Sequence, residues 1–176
     1  MSVLVKKRKK SKFEVFDHWF DVRRELTDLL LRDFGYIFDK AETRLNKRFG
    51  NKSIENMDEK ERARYQKTKE RYEAFDDWFI DNERNTITEY MREVTKHCFI
   101  ANSNYPYIDE EYIQRRLHQD EAIGFCQAIK QELQYVIDTL PVDVNVYLRF
   151  AEMIDKEVAL IKAWRKSDNK IRDNKI

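Results

Sequence analysis

Apolar residues in this chain recur three and four positions apart with few interruptions, a spacing that predicts long amphipathic helices. The first run is Phe16, Phe20, Leu26, Leu30 and Phe34, widened by Trp19, Val22 and Leu29. Ser11 stands three residues before Glu14, so each side chain can satisfy the other's free backbone N–H in a capping box. Gly35 follows the run and suits a left-handed terminator. A first helix is predicted over about 12–34.

Residues 36–57 carry a weaker pattern, with a short helix predicted from Asp39 to Phe49 and ended by Gly50-Asn51. Asp58 with Glu61 offers another helix start, and no breaker follows until Asn102 to Pro106. A single helix of about 44 residues would reach roughly 66 Å, about twice the first. Glu59 to Arg71 is mostly charged, with little beyond Ala63 and Tyr65 to bury, whereas Tyr72, Phe75, Phe79, Ile87, Met91, Val94 and Cys98 form a strong stripe. The second long helix is therefore predicted over about 70–101, with 58–69 as a solvated extension. Asp109 starts a third, with Ile113, Leu117, Ile123, Leu133, Val136, Ile137 and Leu140 on its apolar face. Gly124 in its middle costs about 1 kcal/mol relative to alanine, and a close helix crossing there would offset that. Leu140-Pro141-Val142-Asp143 predicts a tight turn before a fourth helix bearing Tyr147, Phe150, Ala151, Ile154, Val158, Ile161 and Trp164.

Four long amphipathic segments, the last two joined by a short turn, predict an all-α fold. The expected form is an antiparallel up-down-up-down four-helix bundle with a helical or irregular insertion at about 36–69. The bundle would occupy 12–170, between a basic N-terminal tail (1–11) and a C-terminal tail (171–176). Three glycines and two prolines are too few to punctuate a sheet-rich fold. Aromatic residues number 23 of 176, more than four thin seams require, so part of them is expected in a subunit interface. A thick monomeric core is the alternative.

No apolar stretch of signal-peptide length follows Met1, and none reaches the roughly 18 apolar residues that would span a bilayer. Cys98 and Cys126 lie within helical patterns and form no CxxC, as expected of reduced core residues in a cytoplasmic protein.

Charge changes the picture. The formal net charge of +1 hides a segregation. Lys6, Lys7, Arg8, Lys9, Lys10 and Lys12 precede the first helix, and Lys162, Arg165, Lys166, Lys170, Arg172 and Lys175 end the fourth against only Asp168 and Asp173. Removing these from the totals of 34 basic and 33 acidic residues leaves a body with 22 bases and 31 acids. Antiparallel topology would bring both basic tails to one end, beside Lys96. Such a cluster suits a phosphate backbone, whose counterions it displaces. Basic residues in a last helical turn also complement the helix dipole or merely solubilise a tail.

A di-metal bundle site needs Glu-x-x-His on two helices. Glu93 and His97 are four apart, and neither His18 nor His118 has a glutamate three residues before it. His97 and Cys98 are neighbours pointing about 100° apart on a helix. No glycine-rich phosphate loop occurs. No catalytic residue, metal or cofactor is expected.

Several segments resemble a known family. These are Ser11-Lys-Phe-Glu-Val-Phe, Arg24-Glu-Leu-Thr-Asp-Leu-Leu-Leu-Arg-Asp-Phe-Gly35, Ala74-Phe-Asp-Asp-Trp-Phe-Ile-Asp81, Tyr112-Ile-Gln-Arg-Arg-Leu-His118, Gln131-Glu-Leu-Gln-Tyr-Val-Ile137 and Ala163-Trp-Arg-Lys-Ser-Asp-Asn169. They are similar to small bacterial and phage four-helix-bundle proteins, the accessory variability determinants of diversity-generating retroelements. A more distant resemblance is to proteins encoded in 23S rRNA intervening sequences. The resemblance implies a non-catalytic homopentamer that binds the element's reverse transcriptase and serves cDNA synthesis from a template-repeat RNA. The basic positions, with Arg115 and Arg116 added, would then contact RNA, cDNA or the enzyme. The chain is longer than compact members of that family and its body is acidic. The competing expectations are a structural or protein-interaction bundle that touches no nucleic acid, and a metal protein or enzyme whose site leaves no motif.

Overall fold

Wherever the sequence carries turn chemistry, a helix ends. A computed structural model of the chain describes residues 13–73 and 78–173. It contains α1 (Glu14–Leu31), α2 (Phe38–Arg48), α3 (Glu59–Glu73), α4 (Ile80–Ser103), α5 (Asp109–Thr139) and α6 (Val144–Asp173). There is no strand among the described residues. The Asn102 to Pro106 stretch separates α4 from α5, and Leu140 to Asp143 separates α5 from α6. No helix among the described residues is long and apolar enough to cross a membrane.

The capping chemistry is local and mostly legible. Asp58 Oδ1 accepts the Glu61 N–H at 2.7 Å while Glu61 Oε2 accepts the Asp58 N–H at 3.4 Å, a reciprocal capping box. At the end of α2 the Gly50 N–H bonds Lys47 O and the Asn51 N–H bonds Asn46 O, a Schellman motif. Its left-handed residues are Gly50 (φ +72°) and Asn51 (φ +52°). Asp143 Oδ1 receives the Asn145 N–H at the start of α6. The expected Ser11 cap lies outside the described residues, as does Phe75.

The first helix stops at Leu31, before the expected Phe34. Asp33, Phe34 and Gly35 all take positive φ, turning the chain so that Phe34 is fully buried. The Tyr147 hydroxyl donates to Phe34 O at 2.6 Å and holds the turn against α6. The insertion is ordered as α2, a 3-10 turn and α3, and it has a small core of its own. Leu45, Met57 and Tyr65 are buried there, with Phe49 packed edge-on to Tyr65. Tyr65 also donates to Asn46 Oδ1 at 2.8 Å. The stretch 58–69 is thus part of a packed helix rather than a merely solvated extension. Arg44 bonds the Pro141 and Val142 carbonyls, which seats the insertion at the α5–α6 turn.

The four long helices touch in a cycle: α1 with α4, α4 with α5, α5 with α6, and α6 with α1. Phe13 lies edge-on to Trp164 and Phe16 lies against Phe99, so the start of α1 meets the ends of α6 and α4. Arg172 pairs with Asp109 and brings in the start of α5. Trp19, Val22, Leu26, Ile87, Val94, Cys126, Ile129, Ile154 and Ile161 belong to one buried cluster. Each such aliphatic or aromatic side chain contributes about 1.5–3 kcal/mol by leaving water.

Three expected core residues face solvent: Phe20 (51% exposed), Ile113 (54%) and Leu117 (51%). On α5 the inward register belongs to Tyr112, Arg115, Gln119 and Ala122, three and four apart. With polar side chains in those places, Ile113 and Leu117 turn outward. The expected close crossing at Gly124 is also absent, since a Cβ built there meets nothing within 4 Å.

Candidate nucleic-acid interface and polar sites

The basic end divides into free and committed cations. Lys162, Lys166 and Lys170 are exposed, and none has an ion-pair partner among the described residues. Spaced four apart, they form one row on α6 with a charge roughly every 6 Å. Lys6, Lys7, Arg8, Lys9, Lys10 and Lys12 lie outside the described residues. Their run joins the chain at Phe13, whose ring is 4.8 Å from that of Trp164.

The arginines are engaged with the protein. Arg165 pairs with Asp120 and Arg172 with Asp109, while the Arg172 guanidinium lies 4.4 Å above the Tyr112 ring. Arg116 donates to Tyr112 Oη and Asn169 Oδ1, both at 2.8 Å. Arg115 is only 8% exposed. It pairs with buried Asp168 through Nε (2.8 Å) and Nη2 (3.0 Å). Its Nη1 donates to Ala101 O and Asn104 O, carbonyls at the end of α4 that lack helical partners. Gln119 Nε2 completes Asp168, and the Arg115 guanidinium sits 4.7 Å from the Trp164 ring. Arg115, expected as a surface contact, is thus an interior tie between α4, α5 and α6. The segments around 112–118 and 163–169 are the halves of this lock.

A second polar group lies in the core. Glu157 is fully buried, and His18 Nδ1 is 2.7 Å from its Oε2. Burial pushes the Glu157 carboxyl up to about 8, while burial and then Lys156 lower His18 below its ordinary range. Both shifts favour a neutral pair in which the protonated carboxyl donates to the imidazole. Glu157 Oε1 has no hydrogen-bond partner among the described residues. Cys98 and Cys126 are free and buried, as expected from the sequence. Desolvation raises both thiols, Cys98 to about 12, with Glu157 adding to each shift.

A third group joins α4 to α5 on a partly open face. His97 Nδ1 is 2.9 Å from His118 Nδ1, and each is 2.8 Å from Glu121 Oε2. Behind His97, Nε2 is 3.2 Å from Glu93 Oε2. A hydrogen bond from Lys96 holds the Glu93 carboxyl below its ordinary range. The group carries no Glu-x-x-His pattern, since Glu93 and His97 are four apart. Its one local signal is the inverted pair His118-x-x-Glu121, and the third donor comes from another helix. Comparison with protein-family models, with curated proteins and with solved structures finds no match to this chain.

Proposed function

We propose that this chain is a non-catalytic accessory protein of a diversity-generating retroelement reverse transcriptase. In this reading it binds the enzyme together with template RNA or cDNA in the cytoplasm, as an antiparallel four-helix bundle that assembles as a homopentamer. The motif resemblance supplies the identity of the partner and the assembly. The observation that carries the nucleic-acid part is the free row Lys162, Lys166 and Lys170 at the end where α1 begins and the basic run 6–12 joins the chain. The site residues under this reading are those three lysines and the run Lys6, Lys7, Arg8, Lys9, Lys10 and Lys12. Arg165, Arg172 and Arg116 act at its border, and Arg115 takes no part because its guanidinium is bonded inside the protein.

Co-purification with a reverse transcriptase encoded beside it, and binding of that element's template RNA at low salt, are the expected results. Failure of both overturns the reading.

The pairing of Arg115, Arg116, Arg165 and Arg172 with the protein's own groups favours a second reading, a protein-interaction bundle without nucleic acid. Under it, RNA and DNA binding stay negligible at low salt while a protein partner is still captured.

A further inference from the structure

The three nitrogen and oxygen atoms shared by His97, His118 and Glu121 pose a problem in proton counting. All three sides of the triangle are 2.8–2.9 Å, each a hydrogen-bond distance. Each side needs one donor and one acceptor. An ionised carboxylate only accepts, so both imidazole Nδ1 atoms would have to donate to it, and the side between them would then join two donors. Giving either histidine the opposite role leaves two lone pairs facing each other on another side. With the carboxylate ionised, no assignment of protons satisfies all three contacts, because donor and acceptor cannot alternate around a triangle. One cation accepting three lone pairs does satisfy them.

The surroundings prepare the lone pairs. When Nε2–H of a neutral His97 is donated to Glu93, its Nδ1 is left unprotonated and directed at the triangle. Lys96 in turn holds Glu93, with Nζ at 2.9 Å from Oε2. The Phe125 ring stacks on His97 with centroids 5.6 Å apart and walls one side. The other side is open: the His118 side chain is 22% exposed and that of Glu121 50%.

We propose that His97, His118 and Glu121 form a mononuclear site for a divalent transition-metal ion of the zinc, cobalt or nickel class. Two imidazole nitrogens and one carboxylate oxygen suit such ions better than magnesium or calcium, which prefer oxygen alone. Metal–ligand bonds of roughly 2.0–2.1 Å place neighbouring donors roughly 2.9 Å apart at 90° and 3.3 Å apart at 109°. The observed sides match three donors on one face, with the remaining positions turned to solvent through the Glu121 side. The ion clips α4 to α5, so binding it stabilises the helix pair.

Zinc and cobalt(II) binding to the full chain, after chelator treatment and removal of the chelator, tests this. Calorimetry is expected to give one ion per chain, and cobalt to give ligand-field bands without thiolate charge transfer. His118→Ala and Glu121→Gln, at partly exposed positions, should each weaken binding at least about ten-fold, and Glu93→Gln roughly 10–100-fold. Glu110→Gln, exposed on the same helix, should leave binding unchanged. Zinc should also raise the melting temperature of the parent chain and not of the His118→Ala/Glu121→Gln double variant. Sub-stoichiometric binding, or full binding by that double variant with its helical circular dichroism intact, overturns the proposal.

Discussion

Arg115 of α5 and Asp168 of α6 meet in a two-point ion pair inside the protein, where they are 8% and 2% exposed. Removing one partner strands the other charge away from water, which typically costs about 3–5 kcal/mol. Arg115→Ala is therefore expected to destabilise the fold by that amount in denaturant unfolding. Replacing both residues with apolar ones of similar volume should restore part of the loss, because the desolvation cost of the pair disappears with it. A loss below about 1 kcal/mol for Arg115→Ala would mark the residue as a surface cation.

The free row on α6 has the opposite expected phenotype. Replacing Lys162, Lys166 and Lys170 together with glutamine should leave unfolding free energy nearly unchanged, since the three side chains are exposed and have no ion-pair partner among the described residues. If they contact single-stranded RNA, affinity at low salt should fall, and the slope of log affinity against log salt should drop by about 0.7 per lost phosphate contact. An unchanged slope would remove this row from the interface.

Glu157 gives the fold a calculable pH dependence. Its carboxyl titrates near 8 in the folded chain against an ordinary value of 4.5. Between those values the folded state keeps a proton that the unfolded state has released, so stability falls as pH rises across the window and levels off above it. His18, lowered from 6.5, acts below that point: its contribution is complete above 6.5 and is lost as pH falls. Glu157→Gln keeps a neutral donor for His18 and removes the first effect. It should stabilise the protein by up to about 3 kcal/mol at pH 7 and far less at pH 5, from the pKa difference alone. Melting curves across pH 5–9 would show the parent and the variant diverging as pH rises.

Two glycines should respond oppositely to alanine. Gly124 sits within α5 with nothing within 4 Å of a built Cβ, so Gly124→Ala should stabilise by up to about 1 kcal/mol. Gly50 holds φ +72° at the end of α2, and Gly50→Ala should destabilise by about 1–2 kcal/mol. Thermal unfolding of the two variants measures both. A loss at Gly124 would point to a contact that the isolated chain does not make.

Cys98 and Cys126 should resist a thiol reagent at pH 8 in the native state and react at once in denaturant. Both are buried, with the thiolate disfavoured by desolvation. Rapid native labelling of either would mean that the α4–α5 interior opens on the timescale of the reaction.

Several helix ends are legible in the sequence, because their chemistry lies within a few residues, whereas the stop of α1 at Leu31 and the start of α4 at Ile80 are not. Asp58 and Glu61, Gly50 and Asn51, and Leu140 to Asp143 act on backbone groups beside them. The sequence also located the two free cysteines and the stripe of α6. The tertiary structure decided which face of α5 turns inward and where the basic residues end. Ile113 and Leu117 promise burial on hydropathy alone, but Arg115 takes the interior because Asp168, itself held by Gln119, and the carbonyls of Ala101 and Asn104 meet it there. His118-x-x-Glu121 is an unremarkable surface pair until α4 brings His97 within 2.9 Å. Burial of a charge and convergence of three donors both depend on groups distant in the chain, so neither is written in the spacing of one helix.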